Sequence, residues 1–217
     1  MSDTISEMNG LPEVITTGGQ WPPVDASDAL GQAIWAALCE RHTEPVQQKL
    51  AAASVAIAGL GGLGSNIAVA LARIGVGHLR LIDFDTVDMT NLNRQYYFTE
   101  SVGKPKTEAL RQVLTKVNPN IRIDTIYGKV TPDVVPTWLG GFPIVCEAFD
   151  KADQKAMLAR EVRCQKPDAY LVSGSGMAGF FYVFVVVNTA NNPDVFCYLF
   201  SRQQNNQIDI IVPGCYK

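Results

Sequence analysis

The sequence has 217 residues, of which 47% are hydrophobic, so it is long enough to bury one good-sized core. Its net charge of −3 and its pI of about 5.4 give no electrostatic reason to expect binding to nucleic acid or to an anionic membrane. An apolar run of about 18 residues and a signal-like N-terminus are both absent, so we expect neither a membrane span nor a secretory signal.

The first 53 residues divide at about residue 28. Residues 1–27 are rich in Gly, Pro, Thr and Ser, and we expect them to form a flexible arm with little structure of its own. Residues 28–53 contain helix-forming residues with apolar side chains at roughly helical spacing, and Pro45 predicts a break into two helices.

From residue 54 onward, short apolar runs alternate with segments of helical periodicity. The runs that predict strands are SVAIAGL, HLRLIDF, IRIDTIYG, PIVCEAF and AYLVSGSG. The segments that predict helices are GSNIAVALARIGV, KTEALRQVLTKVN and DQKAMLAREVRCQ, and PDVVPTWLGG predicts a short helix or turn. This alternation predicts an α/β fold, with a mostly parallel sheet and helices on both of its faces.

The five cysteines are scattered, at positions Cys39, Cys146, Cys164, Cys197 and Cys215. None of them forms a C-x-x-C pair, so the sequence does not favour a structural zinc site or a thioredoxin-type motif. We expect free thiols in a reducing cytoplasm, and we expect Cys146, inside a predicted buried strand, to be a core residue.

A glycine-rich turn follows the first predicted strand, in AIAGLGGLGSN. Gly59, Gly61 and Gly64 fit the spacing G-x-G-x-x-G between a strand and a helix. Glycines at these positions allow a tight turn and let phosphate oxygens approach the N–H groups at the start of the helix. The alternative is that they serve only the turn and the packing of the helix against the sheet.

Asp83 ends the second predicted strand. In a Rossmann-like dinucleotide fold, a carboxylate about twenty residues after the glycine-rich turn binds the ribose hydroxyls. A nicotinamide-dependent dehydrogenase, or a plain NAD-binding module, is therefore one interpretation of the chain.

The stretch DFDTVDMTNLNRQ carries more polar groups than a ribose needs. It contains Asp85, Asn91, Arg94 and Gln95, and a guanidinium binds phosphate oxygens in a bidentate fashion. Lys106, in VGKPKTEAL, stands at the start of a predicted helix, where the helix dipole disfavours a cation unless an anion is near. These residues favour a nucleotide with more phosphate than NAD presents at this place.

The fourth predicted strand ends in CEAFD, which places Glu147 and Asp150 at the carboxyl edge of the sheet, where ligands bind in open α/β folds. A carboxylate there can hold Mg²⁺ on the phosphates of a nucleotide. Together with the glycine-rich turn, Asp83, Arg94 and Lys106, this edge predicts an ATP site. Such a site favours attack at phosphorus by positioning and by charge neutralisation.

Several of these motifs together resemble the ThiF/MoeB family, which are adenylyltransferases akin to ubiquitin-activating enzymes. The motifs are GLGGLGSN, LIDFDTVDMTNLNRQ, VGKPKTEAL, VNPNI and CEAFD, and the resemblance runs from about residue 40 to residue 179. Within the family, NLNRQYYF and GSGMAG are most similar to the short ThiF-type proteins of thiamine biosynthesis.

The resemblance implies a role for each matching residue. The residues expected to contact the nucleotide are Gly59, Gly61, Gly62, Gly64, Asp83, Asp85, Asn91, Arg94, Gln95 and Lys106. Asp83 matches the ribose-binding aspartate, and Asp85 belongs to a D-x-D motif that orders the site. Asn91, Arg94 and Gln95 match residues that face the phosphates.

The resemblance also implies how the reaction is promoted. Arg94, Lys106 and Asp150 match the family's catalytic residues, and Asp150 acts through a bound Mg²⁺. The enzyme supplies no nucleophile, because the carboxylate of the acceptor attacks the α-phosphorus itself. The acceptor implied is the C-terminal glycine of a ubiquitin-like sulfur carrier of the thiamine (ThiS) type, and the cofactors implied are ATP and Mg²⁺.

Further expectations follow from the family. We expect no zinc, because the chain lacks the two C-x-x-C pairs of the longer members. We expect a homodimer whose protein partner is the sulfur carrier, with no nucleic acid or membrane partner. Longer members take an arginine from the N-terminal segment of the partner subunit, and Arg41 is the candidate for that role here.

Two alternatives stay open. A sibling within the superfamily that acts on a molybdopterin carrier or a tRNA base would have the same ATP site and a different acceptor surface. The other alternative is a non-catalytic remnant that binds ATP or NAD, and its preference between these two nucleotides would distinguish it.

The chain is thus expected to comprise an arm (1–27), an ATP-binding domain (28–179) and a tail (180–217). The resemblance is expected to stop after Gly179, where FFYVFVVV is apolar at every position and RQQNNQ matches no family pattern. We therefore expect an atypical or truncated C-terminal part, which either a disrupted reading frame or a divergent ending would explain.

Overall fold

The computed structural model describes residues 12–25, 27–177, 181–188 and 195–201. From residue 175 onward, the description covers the course of the strands only. Within these ranges the chain forms one eight-stranded sheet flanked by helices.

The elements follow the alternation that the sequence predicts. The strands are β1 (Val14–Thr17), β2 (Ser54–Ala58), β3 (His78–Asp83), β4 (Arg122–Tyr127), β5 (Ile144–Glu147), β6 (Tyr170–Met177), β7 (Phe181–Asn188) and β8 (Val195–Ser201). The helices are α1 (Ala29–His42), α2 (Glu44–Ala52), α3 (Gly62–Arg73), α4 (Lys106–Val117), α5 (Val135–Leu139) and α6 (Ala152–Gln165). Two short 3-10 turns, Met89–Asn91 and Thr99–Ser101, lie between β3 and α4.

The strand order across the sheet is β1-β4-β3-β2-β5-β6-β7-β8. The five central strands β4, β3, β2, β5 and β6 are parallel, whereas β1, β7 and β8 are antiparallel to their neighbours. The chain runs outward in one direction from β2 to β4 and in the other direction from β5 to β6. The order reverses between β2 and β5, and ligands in open α/β sheets bind outside the carboxyl ends of the strands at such a point.

Both faces of the central sheet are buried, and β2 shows how. Val55 and Ile57 belong to the core on the side of α3 and α4, and Ala56 and Ala58 belong to the core on the side of α5 and α6. Each strand therefore buries side chains in two directions, which is why the strands read as continuous apolar runs. The predicted α/β fold, with a Rossmann-like, mostly parallel sheet and helices on both faces, is confirmed.

The N-terminal segment is more ordered than its composition suggests. Within residues 12–25, β1 pairs antiparallel with β4 at the edge of the sheet, and Thr16 Oγ1 donates to Asp124 Oδ1 at 2.8 Å. Trp21 Nε1 donates to Gly75 O at 3.0 Å, and the Trp21 ring packs edge-on against a second tryptophan in α1. This segment therefore gains its structure from contacts with residues far away in the sequence.

The two predicted N-terminal helices are present. Pro45 lies in the first turn of α2, where its missing N–H costs nothing, so the break between α1 and α2 is confirmed. None of the helices in the described part of the chain is long and apolar enough to cross a bilayer.

Cys146 is a core residue, as predicted. It lies in β5 with 6% of its surface exposed, among the apolar side chains beneath α3 and α4. Burial raises the pKa of the Cys146 thiol to about 11, so it stays protonated and behaves as a small apolar side chain.

Candidate functional site

The turn between β2 and α3 carries the four predicted glycines, and their surroundings differ. Gly59 has a φ of +91°, and a Cβ on Gly64 would lie 1.8 Å from Gly59 O, so neither position accepts a side chain without rearrangement. A Cβ on Gly61 would meet only Gln95 Nε2, at 4.0 Å. Gly59 and Gly64 therefore shape the turn, whereas Gly61 leaves the backbone open to a ligand.

Helix α3 begins immediately behind Gly61. Among the described residues, no side chain caps the N–H groups of its first turn. Uncapped N–H groups and the positive end of the helix dipole attract an anion such as a phosphate. The start of α3 thus has the electrostatic character that the glycine-rich sequence predicts.

Asp83 ends β3, is 8% exposed, and connects two loops. One carboxylate oxygen accepts from Leu60 N at 2.6 Å, and the other accepts from Asp85 N at 2.8 Å. Burial raises the pKa of Asp83, although these hydrogen bonds and the charge of Lys106 act in the opposite direction. Each oxygen keeps a lone pair that can accept a hydrogen bond from a hydroxyl group.

Lys106, the first residue of α4, is paired with Asp85. Its backbone N–H donates to Asp85 O and its Nζ donates to Asp85 Oδ2, both at 2.9 Å. The anion that explains a lysine at a helix start is therefore Asp85. Since an ammonium has three donors, the pair leaves two N–H groups of Lys106 for phosphate oxygens.

The segment NLNRQ forms a tight turn beside the start of α3. Asn91 Oδ1 accepts from Asp88 N at 3.1 Å within a capping box, so this end of the side chain shapes the turn. Arg94 is exposed and passes over Gly62, where a Cβ would lie 3.6 Å from Arg94 Cγ. The structure thus brings Arg94 to the open end of α3, while a contact between Asn91 and phosphate stays a prediction.

Gln95 differs from its neighbours because it is 8% exposed. Its Oε1 has no hydrogen-bond partner among the residues that the structure describes. A buried carbonyl without a donor costs about 1–3 kcal/mol. Gln95 is therefore suited to a site where a ligand brings the donor.

The two acidic residues predicted at the end of β5 have different surroundings. Glu147 is buried and accepts hydrogen bonds from Lys155 Nζ and Phe149 N, so it does not face a ligand. Asp150 is exposed, three residues further along the same loop. Asp150 is thus the carboxylate at this end of β5 that is accessible to a metal ion on bound phosphates.

The donor set suits Mg²⁺ held by a nucleotide. Mg²⁺ in such sites takes one or two carboxylates and completes its shell with phosphate oxygens and water. Asp150 meets that demand with a single exposed carboxylate at the sheet edge. The described residues contain no cluster of three His, Cys, Asp or Glu side chains placed to hold a metal ion.

Two residues that fix the glycine-rich turn were not predicted. Ser65 Oγ donates to Gly61 O at 2.7 Å and accepts from Tyr96 N at 3.0 Å. Tyr97 Oη donates to Leu60 O at 2.7 Å, and burial raises the pKa of this phenol far above its ordinary value, so it stays a donor. For Tyr97, the available signal was its place in the aromatic pair directly after NLNRQ, because a buried phenol needs a hydrogen-bond partner.

The ThiF family model matches residues 32–214. The match extends past Gly179, where the resemblance was expected to stop, and the atypical character of residues 180–217 stays a prediction. The strands β7 and β8 continue the sheet within the part of the match that follows Gly179.

Individual proteins are similar over a shorter range. The chain is 35% identical over 148 residues to the molybdopterin-synthase adenylyltransferase of Haemophilus influenzae, a match that covers 68% of this chain and 60% of that protein. It is 36% identical over 137 residues to the tRNA threonylcarbamoyladenosine dehydratase of Escherichia coli, which covers 62% and 51%. The chain thus spans about half to three fifths of the length of these relatives.

A solved structure of the Escherichia coli tRNA N6-threonylcarbamoyladenosine dehydratase in complex with ATP is similar, with a TM-score of 0.63 and 33% identity. The similarity covers 68% of this chain and 61% of that one. The match of the family model to most of the sequence, including the glycine-rich turn, Asp83, Arg94 and Lys106, shows that the chain belongs to the ThiF family.

Proposed function

We propose that this protein uses Mg-ATP to adenylate the C-terminal carboxylate of a small ubiquitin-like protein. A carboxylate oxygen of the acceptor attacks the α-phosphorus, the bond from that phosphorus to the β-phosphate oxygen breaks, and pyrophosphate leaves. The observation that carries this proposal is the convergence of three positive elements at one sheet edge. These elements are the uncapped start of α3, Arg94 above Gly62, and Lys106 at the start of α4.

The nucleotide is ATP in this proposal. The name adenylyltransferase and the ATP complex of the similar dehydratase support it, since they belong to relatives that are 35% and 33% identical to this chain. A buried carboxylate at the end of β3 supports the placement of the ribose on Asp83. Three sources of positive charge suit a triphosphate better than the diphosphate of NAD.

Each charged residue has a part in the proposed reaction. Arg94 and Lys106 hold the phosphates and stabilise the charge that moves onto pyrophosphate as it leaves. Asp150 would hold Mg²⁺, which screens phosphate charge and orients the leaving group when it is bound. Asp83 accepts hydrogen bonds from the ribose hydroxyls and thereby fixes the nucleotide along the edge of the sheet.

The acceptor in the proposal is a ThiS-type sulfur carrier. Its support is the resemblance of NLNRQYYF and GSGMAG to the short members of the family that act in thiamine biosynthesis. The second candidate is a molybdopterin carrier or a tRNA base. This second candidate is supported by the names of two relatives, a molybdopterin-synthase adenylyltransferase and a tRNA threonylcarbamoyladenosine dehydratase.

We also propose that the protein acts as a homodimer. Helix α1 is rich in Ala, Leu, Ile and Trp on all sides, yet within it only Gly31 is buried. A helix that is apolar all round is normally covered, and Leu30 in α1 and Val46 in α2 are 61% and 47% exposed. Arg41 is exposed near the end of α1, which suits an arginine that reaches a neighbouring subunit.

A reducing cytoplasm is the proposed location. Cys39, Cys146 and Cys164 are free thiols in the described part of the chain. Free thiols are the usual state of cysteines in that compartment.

The test is ATP–pyrophosphate exchange on purified, folded protein. Labelled pyrophosphate is added with ATP and Mg²⁺, in separate reactions with a ThiS-type carrier, with a molybdopterin-type carrier that also ends in Gly-Gly, with tRNA, and with no acceptor. We expect label to enter ATP only with the ThiS-type carrier. Exchange with another acceptor alone would identify that acceptor instead, and no exchange with any of them would refute the proposed activity.

The matched variants are Arg94→Gln and Arg73→Gln. Both remove a guanidinium from an exposed arginine, but Arg94 lies over the start of α3 and Arg73 lies at its other end. A charge-assisted hydrogen bond is worth about 1.5–3 kcal/mol, so Arg94→Gln should slow exchange by roughly tenfold or more. Arg73→Gln should exchange like the wild type.

A further inference from the structure

An ion pair between a fully buried glutamate and a partly buried lysine lies beneath the loop that carries Asp150. Glu147, at the end of β5, has a fully buried carboxylate, and Lys155, in α6, donates to both of its oxygens at 3.0 Å. Phe149 N and Ser173 Oγ donate to the same carboxylate. Lys155 also donates to a backbone carbonyl of β6, so the pair connects β5, β6 and α6.

The elements that the ion pair connects also contact the glycine-rich turn. A Cβ on Gly174, in β6, would lie 2.1 Å from Leu63 Cδ2, so β6 touches the first turn of α3. A Cβ on Gly59 would lie 2.9 Å from Ala148 O, so the turn also touches the loop that follows Glu147. The ion pair is thus one of the contacts that hold that loop in position relative to the open start of α3.

Stability alone does not explain this pair, in which the carboxylate is fully buried and the lysine side chain is 23% exposed. Removing a charge from water costs several kcal/mol, and well-packed apolar residues of similar volume are often at least as stable. The pair fixes the orientation of the carboxylate instead, because three donor groups make four hydrogen bonds to it. One of these donors, Phe149 N, belongs to the residue next to Asp150.

We infer that Glu147 and Lys155 are positioning residues that hold Asp150 where it can bind Mg²⁺ on the phosphates of ATP. The inference rests on the proposed function, since it concerns the metal ion of that reaction. Neither residue contacts the metal ion or the nucleotide. Their effect passes through the loop from Glu147 to Asp150 and should therefore be specific to the metal-dependent part of nucleotide binding.

The test compares ATP binding by calorimetry with excess Mg²⁺ and with EDTA, in the wild type and in Lys155→Met. Groups that orient metal ligands typically contribute about 10–100-fold to metal affinity. We expect Lys155→Met to bind metal-free ATP like the wild type but to need about 10–100-fold more Mg²⁺ to reach the wild-type affinity. Lys155→Arg, which keeps a cation, should recover most of the loss, and Arg163→Met, on the exposed side of α6, should behave like the wild type.

The other outcomes are decisive as well. A folded Lys155→Met with wild-type Mg²⁺ dependence would overturn the inference, and so would an equal loss with EDTA, because Lys155 would then contact phosphate directly. If Lys155→Met does not fold, the double variant Glu147→Gln/Lys155→Met removes both charges and takes its place in the same comparison. Failure of the wild type to bind Mg-ATP would refute the proposed function itself.

Discussion

Lys106 Nζ donates to Asp85 Oδ2 at 2.9 Å, and the two side chains are 7% and 49% exposed. The lysine is thus enclosed, while its carboxylate partner faces solvent at the edge of the sheet. An enclosed ammonium loses little side-chain conformational entropy when a phosphate binds, so the ion pair preorganises Lys106 for that contact. The exposed carboxylate can rehydrate if the lysine turns towards a phosphate.

Replacing Lys106 should separate nucleotide binding from stability. In Lys106→Met, Asp85 loses its partner but remains half exposed, so the free energy of unfolding should fall by no more than about 1 kcal/mol. A lost charge-assisted hydrogen bond is worth about 1.5–3 kcal/mol, so ATP affinity should fall roughly 10–100-fold. Calorimetric titration with Mg-ATP and urea unfolding measure the two effects.

The double variant Lys106→Met/Asp85→Asn sharpens this test. With the lysine gone, Asp85 repels the phosphates, so removing its charge should recover part of the lost affinity. Lys104→Met is the control, because Lys104 Nζ donates to Gln112 on the exposed surface of α4 and its loss should leave ATP affinity unchanged. Equal losses in Lys104→Met and Lys106→Met would show that only the general charge of this segment matters.

The glycines of the turn should fall into two classes when changed to alanine. Gly64→Ala places a methyl group 1.8 Å from Gly59 O, which is backbone, so it should destabilise the fold by about 1–3 kcal/mol or more. Gly61→Ala places the methyl group in open space at the start of α3, so the fold should persist and ATP affinity should fall. Thermal unfolding and calorimetry separate the two classes. Wild-type ATP affinity in a folded Gly61→Ala protein would place the phosphates elsewhere.

Much of the fold could be predicted because its signals are local. The apolar runs at β2 and β3, with glycines and helical periodicity after them, determine both the strands and their buried position in the sheet. Strand β1 has no such signal. The strand has only four residues and is largely exposed. It is ordered by its antiparallel pairing with β4, more than a hundred positions away in the chain.

The site residues likewise divide into those with a local sequence signal and those whose role depends on distant contacts. Gly64 and Asp83 were predicted because their roles follow from their place at the ends of neighbouring elements. Glu147 was expected to face a ligand, but it points inward because Lys155 and Ser173 satisfy it. Nothing in the residues adjacent to Glu147 encodes those partners, so only the folded structure distinguishes it from Asp150.

Two buried glutamines should respond in opposite ways to substitution by methionine. Gln95 Oε1 has no partner in the described part of the chain, so Gln95→Met removes an unsatisfied acceptor and should not lower the free energy of unfolding. Gln47 is fully buried and bonded to His42 and Gly75, so Gln47→Met should cost about 1–3 kcal/mol.

The effects of the two substitutions on ATP affinity should be the opposite of their effects on stability. Gln95→Met should weaken ATP binding by roughly tenfold, because the ligand loses a hydrogen bond within an enclosed site. Gln47→Met should bind ATP like the wild type, since Gln47 lies among α1, α2 and the turn after α3, away from the glycine-rich turn. Unchanged ATP affinity in Gln95→Met would remove Gln95 from the site.

Asp124 in β4 is the centre of a second polar network, on the opposite side of the sheet from α3. Its inaccessible carboxylate accepts from Thr16 Oγ1 and from the guanidinium groups of Arg80 and Arg122, and His78 Nε2 lies 2.9 Å from it. Burial by itself would raise the pKa of Asp124, but the hydrogen bonds from His78, Arg80 and Thr16 outweigh it and hold the pKa well below its ordinary range.

This depressed pKa predicts how stability depends on pH. The stabilisation is fully present above the pKa of an unfolded aspartate, about 3.9, and is lost as the pH falls towards the lower pKa of the folded state. Asp124→Asn leaves the guanidinium of Arg80, whose side chain is 14% exposed, without its charged partner, so it should cost about 3–5 kcal/mol at about pH 7 and progressively less below about pH 4. Urea unfolding over this range measures both curves, with the exposed Asp133→Asn as control. A constant difference between wild type and Asp124→Asn down to the lowest pH would show that Asp124 is not the group whose protonation weakens the fold.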